Sequence, residues 1–202
     1  MAKWYLPLKR LADILAAGAL LIVLAPLFVL VAIVLKLSDR GAVFFSQRRS
    51  GLRGREFTIY KFRTMRADRK HDPFEYVPAG HSDITAVGRM LRRVKLDETP
   101  QLWNILKGDM SLIGPRPTLP EQVVLYNDFE RGRLEVRPGL TGLAQINGGI
   151  LLPWPERIKW DVYYVQQLGP ALDLRIAFKT VIVVLAGDKK FTRTIEQAKP
   201  TT

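Results

Sequence analysis

Asp97 and Glu98 stand side by side just ahead of a short amphipathic segment, and the chain then returns through Gly114-Pro115-Arg116-Pro117. An arginine between two prolines has lost much of the freedom of a solvated one. In outline this is an anion site. A carboxylate among arginines stays ionised, and an ionised, positioned carboxylate can attack phosphorus. The plainer account is that acidic residues at a helix start complement its dipole, worth about 0.3–1 kcal/mol. Thr99 is the expected N-cap and Pro100 the first helical residue, with Leu102, Trp103, Ile105 and Leu106 as a buried face and Gly108 as the C-terminal stop.

The composition narrows the partners. The chain of 202 residues, sized for about one domain, carries a formal charge of +12, which calls for a negative partner: nucleic acid, anionic lipid or a phosphorylated substrate. No cysteine is present, which excludes disulfides, thiolate zinc sites and cysteine nucleophiles. The two histidines, His71 and His81, fall in a Pro/Gly-containing stretch and read as loop residues rather than metal ligands.

The elements that must position the carboxylates begin with an apolar run. Residues 14–35 carry no charge, and a helix of that length reaches about 33 Å, close to a bilayer core. Its length and flanks do not match a cleaved signal peptide. Pro26 lies near the middle, where a helix is expected to kink or break. Lys3, Lys9 and Arg10 precede the run and Lys36, Arg40, Arg48 and Arg49 follow it. With both flanks basic, a re-entrant helix that enters and leaves by the cytoplasmic face fits better than a spanning one, although kinked spanning helices are common.

Residues 43–47 and 56–62 read as two strands joined by a basic, glycine-containing turn. Its arginines either form a solvated tip or meet lipid phosphates, with Lys61 pointing into the site. Residues 67–82 form a polar loop. Asp83 is the expected cap of a helix running to about Val94 that bears Arg89, Arg92 and Arg93. A helix is expected over residues 119–131, a tight glycine-rich loop with a short strand at 143–146 over residues 137–149, and an aromatic helix over 155–168. The segment 171–185 is either a helix in the membrane interface or an ordinary core helix, and the tail from Gly187 is polar and loose.

Four stretches, in order, carry a resemblance: Ile59-Tyr-Lys-Phe-Arg-Thr-Met65, residues 96–117, residues 136–148, and Trp160-Asp-Val-Tyr-Tyr-Val165 followed by Leu172-Asp-Leu-Arg-Ile-Ala-Phe-Lys-Thr180. With the kinked apolar helix, the chain resembles the small monotopic phosphoglycosyl transferases of the bacterial sugar transferase family over nearly its whole length. The resemblance implies transfer of a phosphosugar from a UDP-sugar donor to a polyprenol (undecaprenyl) phosphate acceptor with Mg2+. UMP is released in what is the first membrane step of glycoconjugate or polysaccharide assembly. By similarity Asp97 is the nucleophile that forms an aspartyl phosphosugar intermediate, and Glu98 its partner, both near the metal. Lys61, Arg92, Arg116 and Arg137 would neutralise the diphosphate, and Gln145, Asn147 and Asp161 would help to position it. Two departures stand out: Ala25-Pro26 replaces the common Ser-Pro, and Asn147-Gly148-Gly149 replaces the common Asn-Gly-Arg.

The expected fold is therefore α+β and mostly helical. A kinked re-entrant membrane helix with basic flanks (residues 1–40) precedes a catalytic domain (residues 41–187) at the cytoplasmic face of the bacterial inner membrane, followed by a flexible tail (residues 188–202). Within the domain, a small antiparallel hairpin and amphipathic interfacial helices surround the Asp-Glu helix. Membrane lipids are expected partners and nucleic acid is not, since no nucleic-acid motif is present. A non-catalytic basic membrane scaffold and a protein binding anionic lipid or nucleic acid are the rival classes, and the oligomeric state is left open.

Overall fold

The structure is a computed structural model that describes residues 4–66, 81–186 and 191–198. His71, most of the polar loop expected over 67–82, and the outer parts of the tail lie outside the described residues.

The uncharged run folds as helix α1 (Tyr5–Asp39), which ends with Arg40 in the left-handed region and its N–H on the Lys36 carbonyl. The helix continues through Pro26 without interruption. A proline removes a single ladder bond, and Leu24 and Phe28 on either side are packed against the body of the protein. The inward stripe is long. Leu6, Lys9, Asp13, Ala17, Leu21, Leu24, Phe28, Val31 and Leu35 follow one another at three- or four-residue spacing and are buried or packed against core residues. The opposite side, including Leu11, Leu15, Ile22, Val23, Leu30 and Ile33, is apolar and exposed.

Strands β1 (Phe44–Ser50) and β2 (Glu56–Phe62) form the expected antiparallel hairpin, in register from Phe44↔Phe62 to Ser50↔Glu56. β1 is longer than its hydrophobic pattern suggested. Arg48 and Arg49 belong to the strand, and the reversal is a 3-10 turn (Leu52–Gly54) that uses the positive φ of Arg53 and Gly54. Helix α2 (Ala86–Arg93) follows. Its cap is Thr85, whose hydroxyl accepts from Gly88 N–H at 2.9 Å, and not Asp83, which lies outside the helix. At Gly88 the helix backbone presses on the chain after β2, where a Cβ would lie 2.0 Å from the Thr64 carbonyl oxygen.

A 3-10 turn (Leu96–Gln101) leads into α3 (Leu102–Lys107), with Lys95 in the left-handed region ahead of it. Thr99 therefore does not cap α3. Its hydroxyl donates to the Leu96 carbonyl at 2.7 Å inside the 3-10 turn. Leu102 and Ile105 are buried as expected, but Trp103 is 54 % exposed. The inward position at this turn belongs to Asn104, fully buried. Gly108 closes the helix at φ 94.

A second pair of strands was not foreseen. β3 (Ser111–Ile113) and β4 (Gly139–Thr141) run parallel, and a Cβ on Gly139 would meet the Gly114 amide nitrogen at 2.1 Å, so glycine is what lets the two segments touch. The helix expected over 119–131 is two: α4 (Pro120–Val124), with proline in its first turn, and α5 (Asp128–Arg131), started by a capping box between Asn127 and Glu130. The strand expected at 143–146 is instead the helical turn α6 (Leu143–Ile146). Its buried residues, Leu143, Ala144 and Ile146, are not in strand alternation.

Helices α7 (Trp154–Gln166) and α8 (Pro170–Ala186) complete the body, which buries Trp160, Tyr164, Val165, Leu168 and Ile176 against β3 and α6. α8 keeps Leu174, Phe178, Val181, Ile182 and Leu185 exposed, the apolar face expected of an interfacial helix. Residues 191–198, ending in α9 (Ile195–Ala198), dock rather than float: Trp160 Nε1 donates to the Arg193 carbonyl, and Arg193 N–H donates to that of Asn147.

Candidate active site

Four elements converge on the two carboxylates. The 3-10 turn carries Asp97 and Glu98 inward, β2 brings Lys61, α2 brings Arg92, and the stiff loop after β3 brings Arg116. Asn104 ties α3, which follows the turn directly, to β2, its Nδ2 donating to the Thr58 carbonyl at 2.7 Å and its Oδ1 accepting from Tyr60 N–H at 3.3 Å.

The two carboxylates differ sharply in partners. Lys61 Nζ donates to Glu98 Oε1 at 2.6 Å; Arg116 Nη1 donates to Oε2 at 3.0 Å and Nη2 to Oε1. Such a fork on one carboxylate is the strong form of the interaction. Burial alone would raise the pKa of Glu98, but Arg116 and Lys61 outweigh it and hold the group well below the usual carboxylate range. Asp97, 8 % exposed, keeps its Oδ1 buried with no hydrogen-bond partner among the described residues. Burial first and the adjacent Glu98 charge second raise its pKa, partly offset by Lys61, Arg92 and Arg116. One carboxylate is thus a neutralised anchor and the other a desolvated, unpartnered oxygen.

Behind Arg116 is a network that the sequence did not reveal. Arg133, 3 % exposed, donates to Asp161 Oδ2 at 2.5 Å, to the Tyr126 hydroxyl at 2.6 Å and to the Arg116 carbonyl at 2.9 Å, and the Tyr126 hydroxyl donates to Thr118 Oγ1. It holds the backbone of the loop that presents the Arg116 side chain. Asp161 therefore acts from the rear. Burial lifts its pKa to about 6 despite the facing Arg133.

Of the other expected positions, Arg137, Gln145 and Asn147 are engaged in the scaffold around the site. Arg137 Nε donates to the Gly108 carbonyl at the far end of α3, where Arg10 of α1 also donates to the carbonyls of Ile105 and Leu106. Gln145 Nε2 donates to the Leu140 carbonyl, while its Oε1 is buried and unpaired among the described residues. Asn147 donates to the Leu143 carbonyl and accepts from Lys179 Nζ at 2.9 Å. Arg92 Nε donates to Thr64 Oγ1, which ties α2 to the end of β2. Asn104 was the one legible omission, a polar residue in the middle of an apolar helical face; Thr64 and Arg10 lie in stretches read for other reasons, and Arg133 carries no local signal. Among the described residues, no group of three or more His, Cys, Asp or Glu side chains is placed to hold a metal.

A sequence model of the family described as bacterial sugar transferases matches residues 4–187, which include every residue of this constellation. The chain belongs to the bacterial sugar transferase family. Among curated relatives of this sugar transferase, the Bacillus subtilis protein named uncharacterized sugar transferase EpsL is 42 % identical over 90 % of this chain and 89 % of its own length. A Caulobacter vibrioides protein named UDP-glucose:undecaprenyl-phosphate glucose-1-phosphate transferase is 37 % identical over 91 % of this chain and 72 % of its own. The UDP-N-acetylgalactosamine-undecaprenyl-phosphate N-acetylgalactosaminephosphotransferase of Aeromonas hydrophila is 38 % identical over 91 % of this chain, which spans 45 % of that longer relative.

Proposed function

We propose that this sugar transferase moves a phosphosugar from a UDP-sugar to undecaprenyl phosphate in two displacements at Asp97. In the first, the Asp97 carboxylate attacks the β-phosphorus, the bond to the oxygen bridging the two phosphates breaks, and UMP leaves with that electron pair. In the second, a phosphate oxygen of the lipid attacks the same phosphorus, and the carboxylate departs, giving polyprenyl diphosphate sugar and a regenerated Asp97. The observation that carries this reading is the unpartnered, buried Oδ1 of Asp97 beside a Glu98 already neutralised by Lys61 and Arg116. The relatives' names point to the same donor and acceptor classes.

Lys61, Arg92 and Arg116 provide the positive charge that a diphosphate needs, and Arg116 is held for that purpose by Glu98 in front and Arg133 behind. Asp97 and Glu98 are the residues that would hold Mg2+, a cation usually bound by one or two carboxylates together with substrate phosphates, and it would neutralise charge on the phosphoryl oxygens. The fit rests on the orphaned Asp97 oxygen, since both oxygens of Glu98 already accept from Lys61 and Arg116.

The packing of α1 supports a re-entrant, monotopic placement at the cytoplasmic face. Its N-terminal end is tied down by the buried Lys9–Asp173 pair at 2.7 Å, and its C-terminal end packs Val31 and Leu35 on Phe62 and Leu91, so both ends rest on one charged body. The exposed side of the helix remains for lipid, which brings the carboxylates to the membrane surface where a lipid phosphate is presented.

The reaction is tested by measuring UMP release from a panel of UDP-sugars, with and without polyprenol phosphate and Mg2+, for wild type and Asp97→Asn. Release that depends on Mg2+, is sustained by the acceptor and vanishes in the variant is expected. Full activity of Asp97→Asn would remove the proposed nucleophile.

A further inference from the structure

We propose that Arg49 binds the phosphate that is not transferred, the one that leaves as UMP; this rests on the two-displacement reading above. In an antiparallel pair, directly opposed residues share a face and faces alternate along each strand. Phe45 opposes Lys61 and Arg49 opposes Phe57, so Arg49 and Lys61 point to the same side of the hairpin. From that side Lys61 reaches Glu98, so Arg49 projects from the face turned toward the carboxylates. The end of β1 is also stitched to the Arg116 loop, with Ser50 N–H donating to the Thr118 carbonyl at 2.8 Å.

Arg49 has a cation for a neighbour and no ion pair among the described residues. Its Nη2 donates to the neutral Gln47 Oε1 at 2.6 Å, and its Nε is buried without a partner. Burial first and the Arg116 charge second pull its pKa down to about 10, against a smaller pull upward from Glu98 and Glu121. A half-buried guanidinium that faces another guanidinium, with an N–H aimed at nothing, is a fork that lacks its anion. The phosphorus under attack must lie at Asp97, whose charged neighbours are Glu98, Lys61, Arg92 and Arg116. Arg49 is the neighbour of Ser50, which is bonded to the Arg116 loop, and so it reaches the site from the Arg116 side, where the second phosphate of a nucleoside diphosphate falls.

The test uses the full chain in detergent and compares wild type, Arg49→Met and Arg49→Lys by calorimetric UMP binding and by KM for each substrate. Arg49→Met is expected to weaken UMP binding and raise the UDP-sugar KM, each about tenfold, as for loss of a charged hydrogen-bond partner, and to leave the polyprenol phosphate KM within about twofold. Arg49→Lys, which keeps the charge and the fold but loses the fork, is expected to weaken UMP by about threefold. UMP affinity equal to wild type in both variants would overturn the assignment, as would a rise confined to the polyprenol phosphate KM, which would give Arg49 to the acceptor. If Arg49→Met does not fold, the Arg49→Lys arm decides. A wild type that releases no UMP from any donor would instead overturn the underlying reaction, a result distinguishable from either of these.

Discussion

Asp97 and Glu98 are neighbours in the chain with opposite surroundings: Glu98 takes hydrogen bonds from both Lys61 and Arg116, whereas Asp97 Oδ1 is buried and bonded to no described residue. Two carboxylates whose environments push their pKa values apart are suited to different roles.

The first prediction concerns pH. Asp97 must be ionised to attack, and its pKa is raised by burial and by Glu98, so the rate should fall on acidification at a higher pH than for an ordinary aspartate. Glu98→Gln removes the adjacent negative charge and leaves Lys61 and Arg116 uncompensated. Both changes lower the Asp97 pKa, so the acid limb of kcat/KM should move to lower pH even as the maximum rate falls. An acid limb that moved upward would contradict the proposed coupling. Glu98 itself, held low, contributes stability that is present above its unfolded pKa and lost only as pH falls through its depressed folded value.

The second concerns the support behind Arg116. Arg133→Met leaves Asp161 a buried carboxylate without its cation and should cost about 3–5 kcal/mol of stability. Arg133→Met/Asp161→Leu should recover much of that loss in thermal unfolding. It should not recover activity, which is expected to be down about a hundredfold because the Arg116 carbonyl is no longer held. Wild-type activity in the folded double variant would show that the loop needs no such support.

The third concerns backbone approach. A Cβ at Gly88 would lie 2.0 Å from the Thr64 carbonyl oxygen, a backbone atom that cannot rotate away. Gly88→Ala should lift α2 and Arg92 off the end of β2, cost about 1–3 kcal/mol and reduce transfer. Gly18→Ala on α1, where nothing lies within 4 Å, should be neutral or stabilising by up to about 1 kcal/mol. Comparing the two melting temperatures checks both statements.

The fourth concerns topology. The chain has no native cysteine, so single cysteines report cleanly. Trp4→Cys and Ser38→Cys, at the two ends of α1, should both react with a membrane-impermeant maleimide in inside-out vesicles and neither in right-side-out vesicles. One label from each side would mean that the helix spans.

The Asp97-Glu98 pair, Lys61, Arg116, the hairpin and the long apolar helix were legible because each is carried by a local pattern: a dipeptide, a proline-locked turn, strand alternation, an uncharged run; the opposite surroundings of the two carboxylates were not. What was not legible depends on partners distant in the chain. Arg137, Asn147 and Asp161 lie in stretches that match the family, yet their side chains meet Gly108, Lys179 and Arg133, which no spacing reveals, while Gln145 turns back to the carbonyl of Leu140. The same limit hid the parallel β3–β4 pair, made by strands of three residues each, and turned an expected strand at 143–146 into the helical turn α6, since a four-residue apolar stretch has no readable period. Trp103 misled for a related reason. Side-chain type suggested burial, but the inward position of α3 is held by Asn104.

The most direct test is to trap the intermediate. Purified wild type mixed with a UDP-sugar in the absence of polyprenol phosphate should release about one UMP per chain and gain the mass of the phosphosugar on the peptide containing Asp97. Added polyprenol phosphate should then discharge that adduct to the lipid product, and Asp97→Asn should show neither burst nor adduct. UMP release only when acceptor is present, with no adduct, would mean direct transfer to the lipid and would contradict the account, as would an adduct on any other residue.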